Sequence, residues 1–227
     1  SYRRSFAIPQ EWDGKRIFVH VGSATSNLSL WVNGKFVGYS EDSKMAAEFD
    51  VTDFVKAGGE NLFAMQVMRG CDGSWLEDQD FWRFTGIARE VYMYARPTSS
   101  IGDIRVVTDL DDKYENAILG VSLTGENADG LEVALNLCDV SGKSVVNGSV
   151  ILNGSGESHT EMDVRKPFKW TAETPYLYTL YATLKRDGKD IETIPVRAGF
   201  REVEIRDRQV LVNYPDVKGR EEILKLH

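Results

Sequence analysis

Apolar and polar residues alternate with a period of two along most of this chain, and helical spacing is nearly absent. Alternation at every second position sends one set of side chains to a buried face and the other to water, as half-buried strands require. Residues 16–21, 28–32, 35–39, 61–67 and 90–94 carry the pattern in the first part. The opening Ser1-Tyr2-Arg3-Arg4-Ser5-Phe6 reads as the middle of a further strand. Residues 104–107, 118–123, 131–137, 145–152, 176–184 and 191–196 carry it in the second part, at the spacing of a β-sandwich. Asn33-Gly34 between two such runs predicts a tight hairpin, because both turn positions need positive φ. Ser141-Gly142-Lys143 and Asp187-Gly188-Lys189 mark further turns, and Pro97-Thr98-Ser99-Ser100 is a short polar break. The fold class is all-β: a jelly-roll sandwich over residues 1–97, an immunoglobulin-like sandwich over 98–206, and a tail over 207–227. Helical character is confined to residues 219–226, where Glu221 and Lys225 stand at i, i+4.

Composition narrows the function classes. The 227 residues are 42% hydrophobic, enough for ordinary globular cores, and their formal net charge is -8. So acidic a chain lacks the basic patch that duplex nucleic acid demands, and none is expected as a partner. No run approaches the roughly 18 apolar residues of a membrane span, so no membrane partner is expected either. Cys71 and Cys138 form no CxxC pair and fall in different domains, which argues against a zinc site and against a disulfide. His20, His159 and His227 are isolated and read as ordinary polar residues. The sequons at Asn27, Asn147 and Asn153 bear only on a eukaryotic secretory setting, which nothing else supports. The compartment stays open between cytoplasm and periplasm.

One stretch fits neither a core strand nor a surface loop. Residues 75–84, Trp75-Leu76-Glu77-Asp78-Gln79-Asp80-Phe81-Trp82-Arg83-Phe84, set three acids among four aromatic rings and end beside an arginine. With Asp72-Gly73-Ser74 before it and Thr85-Gly86-Ile87 after it, this run resembles the sugar-binding domain of β-galactosidases in glycoside hydrolase family 2. So do the run from Leu30 to Lys44 through Trp31-Val32-Asn33-Gly34, and Glu48-Phe49-Asp50-Val51-Thr52. In the second domain, the run from Trp170 to Tyr178 and Gly199-Phe200-Arg201-Glu202-Val203 are similar to the family's immunoglobulin-like domain. The likeness covers roughly residues 1–213.

The resemblance implies a non-catalytic portion of a β-galactosidase, which shapes one wall of the active site and braces a (β/α)₈ barrel. Retaining glycosidases need two carboxyl groups about 5–5.5 Å apart, one as nucleophile and one as acid/base. In the family both are barrel glutamates, so these 227 residues hold no catalytic residue and are expected to be inactive alone. Asp80 matches the aspartate that reaches the sugar and helps hold a sodium ion beside its 6-hydroxyl. Sodium and magnesium are implied for the intact enzyme. Neither is expected on this portion, because the other sodium ligands of the family lie on the barrel. The implied partners are a β-galactoside and the barrel, and relatives often assemble as homo-oligomers. After Asn213, Tyr214-Pro215-Asp216 stands where the family has a turn of Gly-Lys-Pro type, and a family asparagine that contacts galactose has no counterpart here. Residues 215–227 resemble instead a short stretch of AAA-type membrane zinc proteases, without a nucleotide-binding loop, and are assigned no function.

The chemistry of the run suits a sugar. Galactose presents an apolar ring face and hydroxyls that seek acceptors, so its site combines aromatic walls with a few convergent polar groups. A charged carboxylate is a strong acceptor. Asp80 is the candidate for substrate and sodium binding, with Asp78, Trp82 and Arg83 as candidate supports. Each has a blander reading: Asp80 as a loop-stabilising acceptor, Glu77 and Asp78 as loop or surface acids, Arg83 as their ion-pair partner, and Trp75, Phe81 and Trp82 as packing residues. Asp78 and Asp80 cannot serve as a catalytic pair, because both would approach a substrate from one side. Two other functions compete: a stand-alone carbohydrate-binding module and a purely structural, adhesion-like pair of β domains.

Overall fold

The computed structural model describes residues 1–77, 80, 82, 84–154, 156–206 and 208–213. Strands are their dominant regular structure, and they divide into two compact units, Ser1–Thr98 and the part from Ser99 onward. The sequence-predicted helix at 219–226 lies outside the described residues.

The first unit runs β1 (Tyr2–Ala7), β2 (Arg16–Val21), β3 (Ala24–Thr25), β4 (Asn27–Val32), β5 (Lys35–Ser40), β6 (Ala47–Asp50), β7 (Glu60–Met68), β8 (Gly86–Ile87) and β9 (Val91–Arg96). A four-stranded sheet in the order β1-β7-β4-β5 and a three-stranded sheet in the order β6-β2-β9 form the jelly-roll sandwich, and β3 pairs with β8. Alternation places the core. In β2, Ile17, Val19 and Val21 are buried; in β4 it is Leu28, Leu30 and Val32, and in β7 Phe63 and Met65. Each such side chain stabilises the sandwich by about 1.5–3 kcal/mol relative to exposure.

The β4–β5 turn carries the predicted left-handed pair, Asn33 at φ 50° and Gly34 at φ 80°. Asn33 does more than turn. Its Nδ2 donates to the Phe54 carbonyl at 2.8 Å and to Asn61 Oδ1 at 2.8 Å, and its Oδ1 accepts from the Leu62 amide at 3.0 Å. The hairpin tip is therefore tied to β7 and to the segment before it.

The second unit contains β10 (Ser100–Leu110), β11 (Ala117–Glu126), β12 (Glu132–Cys138), β13 (Ser144–Ile151), β14 (Ser158–Val164), β15 (Tyr178–Arg186), β16 (Lys189–Ala198), β17 (Val203–Arg206) and β18 (Gln209–Val212). Sheets β10-β11-β14 and β13-β12-β15-β16 form the immunoglobulin-like sandwich, while β17 and β18 make a separate hairpin. Leu119, Val121, Leu135, Leu137, Leu180, Leu184 and Phe200 fill its core. β14 escapes a reading by alternation, because only Met162 and Val164 are apolar among its residues, Ser-His-Thr-Glu-Met-Asp-Val. The closing hairpin carries strand structure to Val212.

Candidate functional site

The acidic and aromatic run sits in the loop that leaves β7 and returns at β8. Its described residues include a short helix, α1 (Gly73–Leu76). Its departure is fixed by Ser26, whose amide donates to the Met68 carbonyl at 2.8 Å and whose Oγ donates to the Arg69 carbonyl at 2.8 Å. The Cys71 amide donates to Ser74 Oγ at 3.0 Å and starts the helical turn. Further on, the Ser43 amide donates to Glu77 Oε1 at 3.0 Å, which ties the loop to the 41–45 turn. Glu77 is thus a structural tether across 34 positions of sequence.

The 41–45 turn is itself well organised. Asp42 Oδ1 accepts from the amides of Lys44 and Met45, both at 2.9 Å. These two bonds, Met45's the stronger, hold the Asp42 carboxyl below its ordinary range. Ser23 Oγ donates to the Ser43 carbonyl at 2.7 Å, and Arg89 Nη1 donates to the Lys44 carbonyl at 2.8 Å. Beside the turn, Tyr39 bonds Glu41, and that bond to a carboxylate pushes the phenol up to about 12.

A cavity of about 160 Å³ lies between turn and loop, lined by Ser26, Ser43, Lys44, Arg69, Trp82 and Phe84 among others. It mixes hydroxyls, two cations and two aromatic rings. Ser43 is only 2% exposed, and its Oγ has no hydrogen-bond partner among the described residues.

Asp80 is exposed, as are its described neighbours Trp82 and Phe84. Trp75 is 85% exposed and Trp82 76%. Both rings are thus largely open among the described residues. Asp78, Phe81 and Arg83 lie outside the described residues. The described His, Cys, Asp and Glu side chains form no group of three or more suited to a metal ion. Ser43, Lys44 and Arg69 were not singled out for the site. Ser43 and Lys44 lie in a run that resembled the family, but their meeting with residues 69–85 is a tertiary contact that local pattern cannot show.

Known proteins bear on this geometry in two ways. Residues 1–97 match the family model described as glycosyl hydrolases family 2, sugar binding domain, and residues 99–201 match that of glycosyl hydrolases family 2. A β-galactosidase of Priestia megaterium is 39% identical over 222 residues, covering 93% of this chain and 21% of the relative. One of Clostridium acetobutylicum is 39% identical over 209 residues, covering 92% and 23%. The chain thus spans about a fifth of the length of these curated relatives. Among solved structures, a β-glucuronidase of Bifidobacterium dentium complexed with coumarin-3-O-glucuronide matches with a TM-score of 0.82 at 25% identity, over 93% of this chain and 41% of the other.

Proposed function

Since the chain belongs to glycosyl hydrolase family 2, carrying its sugar-binding and immunoglobulin-like domains, we propose that it is a non-catalytic portion of a β-galactosidase. In this reading, the chemistry of glycosidic cleavage belongs to a barrel outside these residues, and the first unit contributes one wall of the substrate pocket. The observation that carries the reading is the placement of Asp80. It is exposed on a loop that also presents Trp82 and Phe84, and hydrogen bonds from Ser26 and Ser43 anchor that loop.

The physical logic runs from those anchors. A carboxylate aimed at a sugar hydroxyl gains from being held in place before substrate arrives, because ordering it on binding would cost affinity. The bond from the Ser43 amide to Glu77 supplies that order. Asp80 would accept a galactoside hydroxyl and serve as one oxygen ligand of the sodium of the intact enzyme. Exposed rings beside it would offer an apolar wall to the pyranose face. The β-galactosidase branch is favoured over the β-glucuronidase branch by identity, 39% against 25%.

Two measurements test the reading. In the full-length parent enzyme, Asp80→Ala is expected to lose most nitrophenyl galactoside hydrolysis, on the order of 100-fold or more for a group that binds charge-assisted hydrogen bonds, together with the response to sodium. Retention of both removes Asp80 from the site. The 227-residue chain alone is expected to show no hydrolysis and no sodium-dependent galactose binding tighter than millimolar. Turnover by the isolated chain would contradict the assignment of catalysis to an absent barrel.

A further inference from the structure

The segment that carries Asp80 is pinned at both of its ends to one turn. At its start, the Ser43 amide donates to Glu77 Oε1 at 3.0 Å. At its end stands Arg89, just beyond β8. Arg89 Nη1 donates to the Lys44 carbonyl at 2.8 Å and to the Gly22 carbonyl at 3.3 Å. Two adjacent residues of the 41–45 turn, Ser43 and Lys44, thus hold the two ends of the segment. Residues 77–89 close into a ring that includes Asp80, Trp82 and Phe84. The backbone beside Arg89 is fixed as well. β3 pairs with β8 through Ala24↔Ile87 and Thr25↔Gly86. The Ala88 amide donates to the Ser23 carbonyl at 3.3 Å, and the Gly22 amide to the Glu90 carbonyl at 3.0 Å. Gly22 lets these segments approach so closely: a Cβ there would stand 2.8 Å from the Arg89 Cβ, well inside the contact distance of two carbons.

A guanidinium suits this task. Its rigid fork of donors can serve two carbonyls at once, and here a single nitrogen does so. Arg89 is itself exposed, so its bonds shape the ring rather than build the core of the sandwich. Closing the ring limits the conformations open to residues 77–89 before any ligand arrives. That ordering then need not be done at the expense of binding. We propose that Arg89 is a positioning residue for Asp80. It clamps the exit of the loop to the turn that already holds Glu77, and it acts through that turn rather than on the sugar. The proposal rests on the reading of Asp80 as a sugar ligand.

One test needs no activity. In the 227-residue chain with Cys71→Ser and Cys138→Ala, a nitroxide attached at Asp80→Cys should become more mobile when Arg89→Met is added. Arg89→Lys should fall between, because an ammonium can keep one of the two bonds. Unchanged mobility in Arg89→Met would overturn the proposal. In the full-length parent enzyme, Arg89→Met should lower kcat/KM for nitrophenyl galactoside by about tenfold, chiefly through KM, the loss that follows when one side chain must be ordered on binding. With Asp80→Ala already in place, the same change should lower it no further, since its route runs through that carboxylate. Equal effects in the two backgrounds would also overturn the proposal, because the arginine would then act on folding or on another group. Should Asp80→Ala leave hydrolysis intact while the label still loosens in Arg89→Met, the reading of Asp80 as a sugar ligand falls and the clamp on the loop stands.

Discussion

Asp42, Ser43 and Glu77 show how the candidate site is held at the scale of single residues. Asp42 shapes its turn by accepting two amides, and that turn presents the Ser43 amide to Glu77. The Asp42 carboxyl sits below its ordinary 3.8 because both amides favour its charged form. A lowered value in the folded state means that its contribution is full above pH 3.8 and fades as pH falls through the folded value. Asp42→Asn should therefore destabilise the first unit near neutral pH, by no more than about 1 kcal/mol because water screens so exposed a group. The gap between wild type and variant should close as urea titrations move below pH 3.8. A gap of constant size from pH 7 to pH 2.5 would assign the effect to something other than this charge. The acids and rings of the site were plain in the sequence as an odd composition at 75–84. Their tether was not, because nothing local links Ser43 to Glu77.

At the scale of elements, alternation does most of the specifying. β2, β4, β5, β7, β12, β15 and β16 follow from period-two runs, and the Asn33-Gly34 and Asp187-Gly188 pairs place two turns with positive φ at all four residues. The elements that resisted are short or polar. β3 and β8 have two residues each, and β14 buries Met162 and Val164 among five polar residues, of which Ser158 is buried as well. Pairing, not propensity, makes β14 a strand: it joins β11 from Ala117↔Val164 to Leu123↔Ser158. Core positions should then be the sensitive ones. Leu30, wholly buried between the sheets of the first unit, is expected to cost about 2–5 kcal/mol on replacement by alanine. Urea denaturation that shows less than about 1 kcal/mol would mean that the site collapses or was never closed.

At the scale of the whole molecule, the two sandwiches each have a core of their own, one built around Leu28, Leu30 and Phe63, the other around Leu119, Leu180 and Phe200. In the proposed reading, the paired carboxyls that cleave a glycosidic bond lie outside both sandwiches. What the first unit holds out instead is a braced loop with an acid and open rings, and the second ends in a hairpin with a bare aliphatic side. The sequence shows the first by resemblance. The second is visible there only as apolar residues at 203, 205, 210 and 212, since which side they share depends on the pairing of β17 with β18.

The side chain of Asn33 leaves a practical asymmetry between two otherwise similar hairpin tips. Three bonds to Phe54, Asn61 and Leu62 weld the first tip to its surroundings, so extra residues spliced there would tear a knot that serves three segments. The tip at Asp187-Gly188 has no such stitching among the described residues. A fluorophore, an affinity handle or a grafted loop belongs at that second tip.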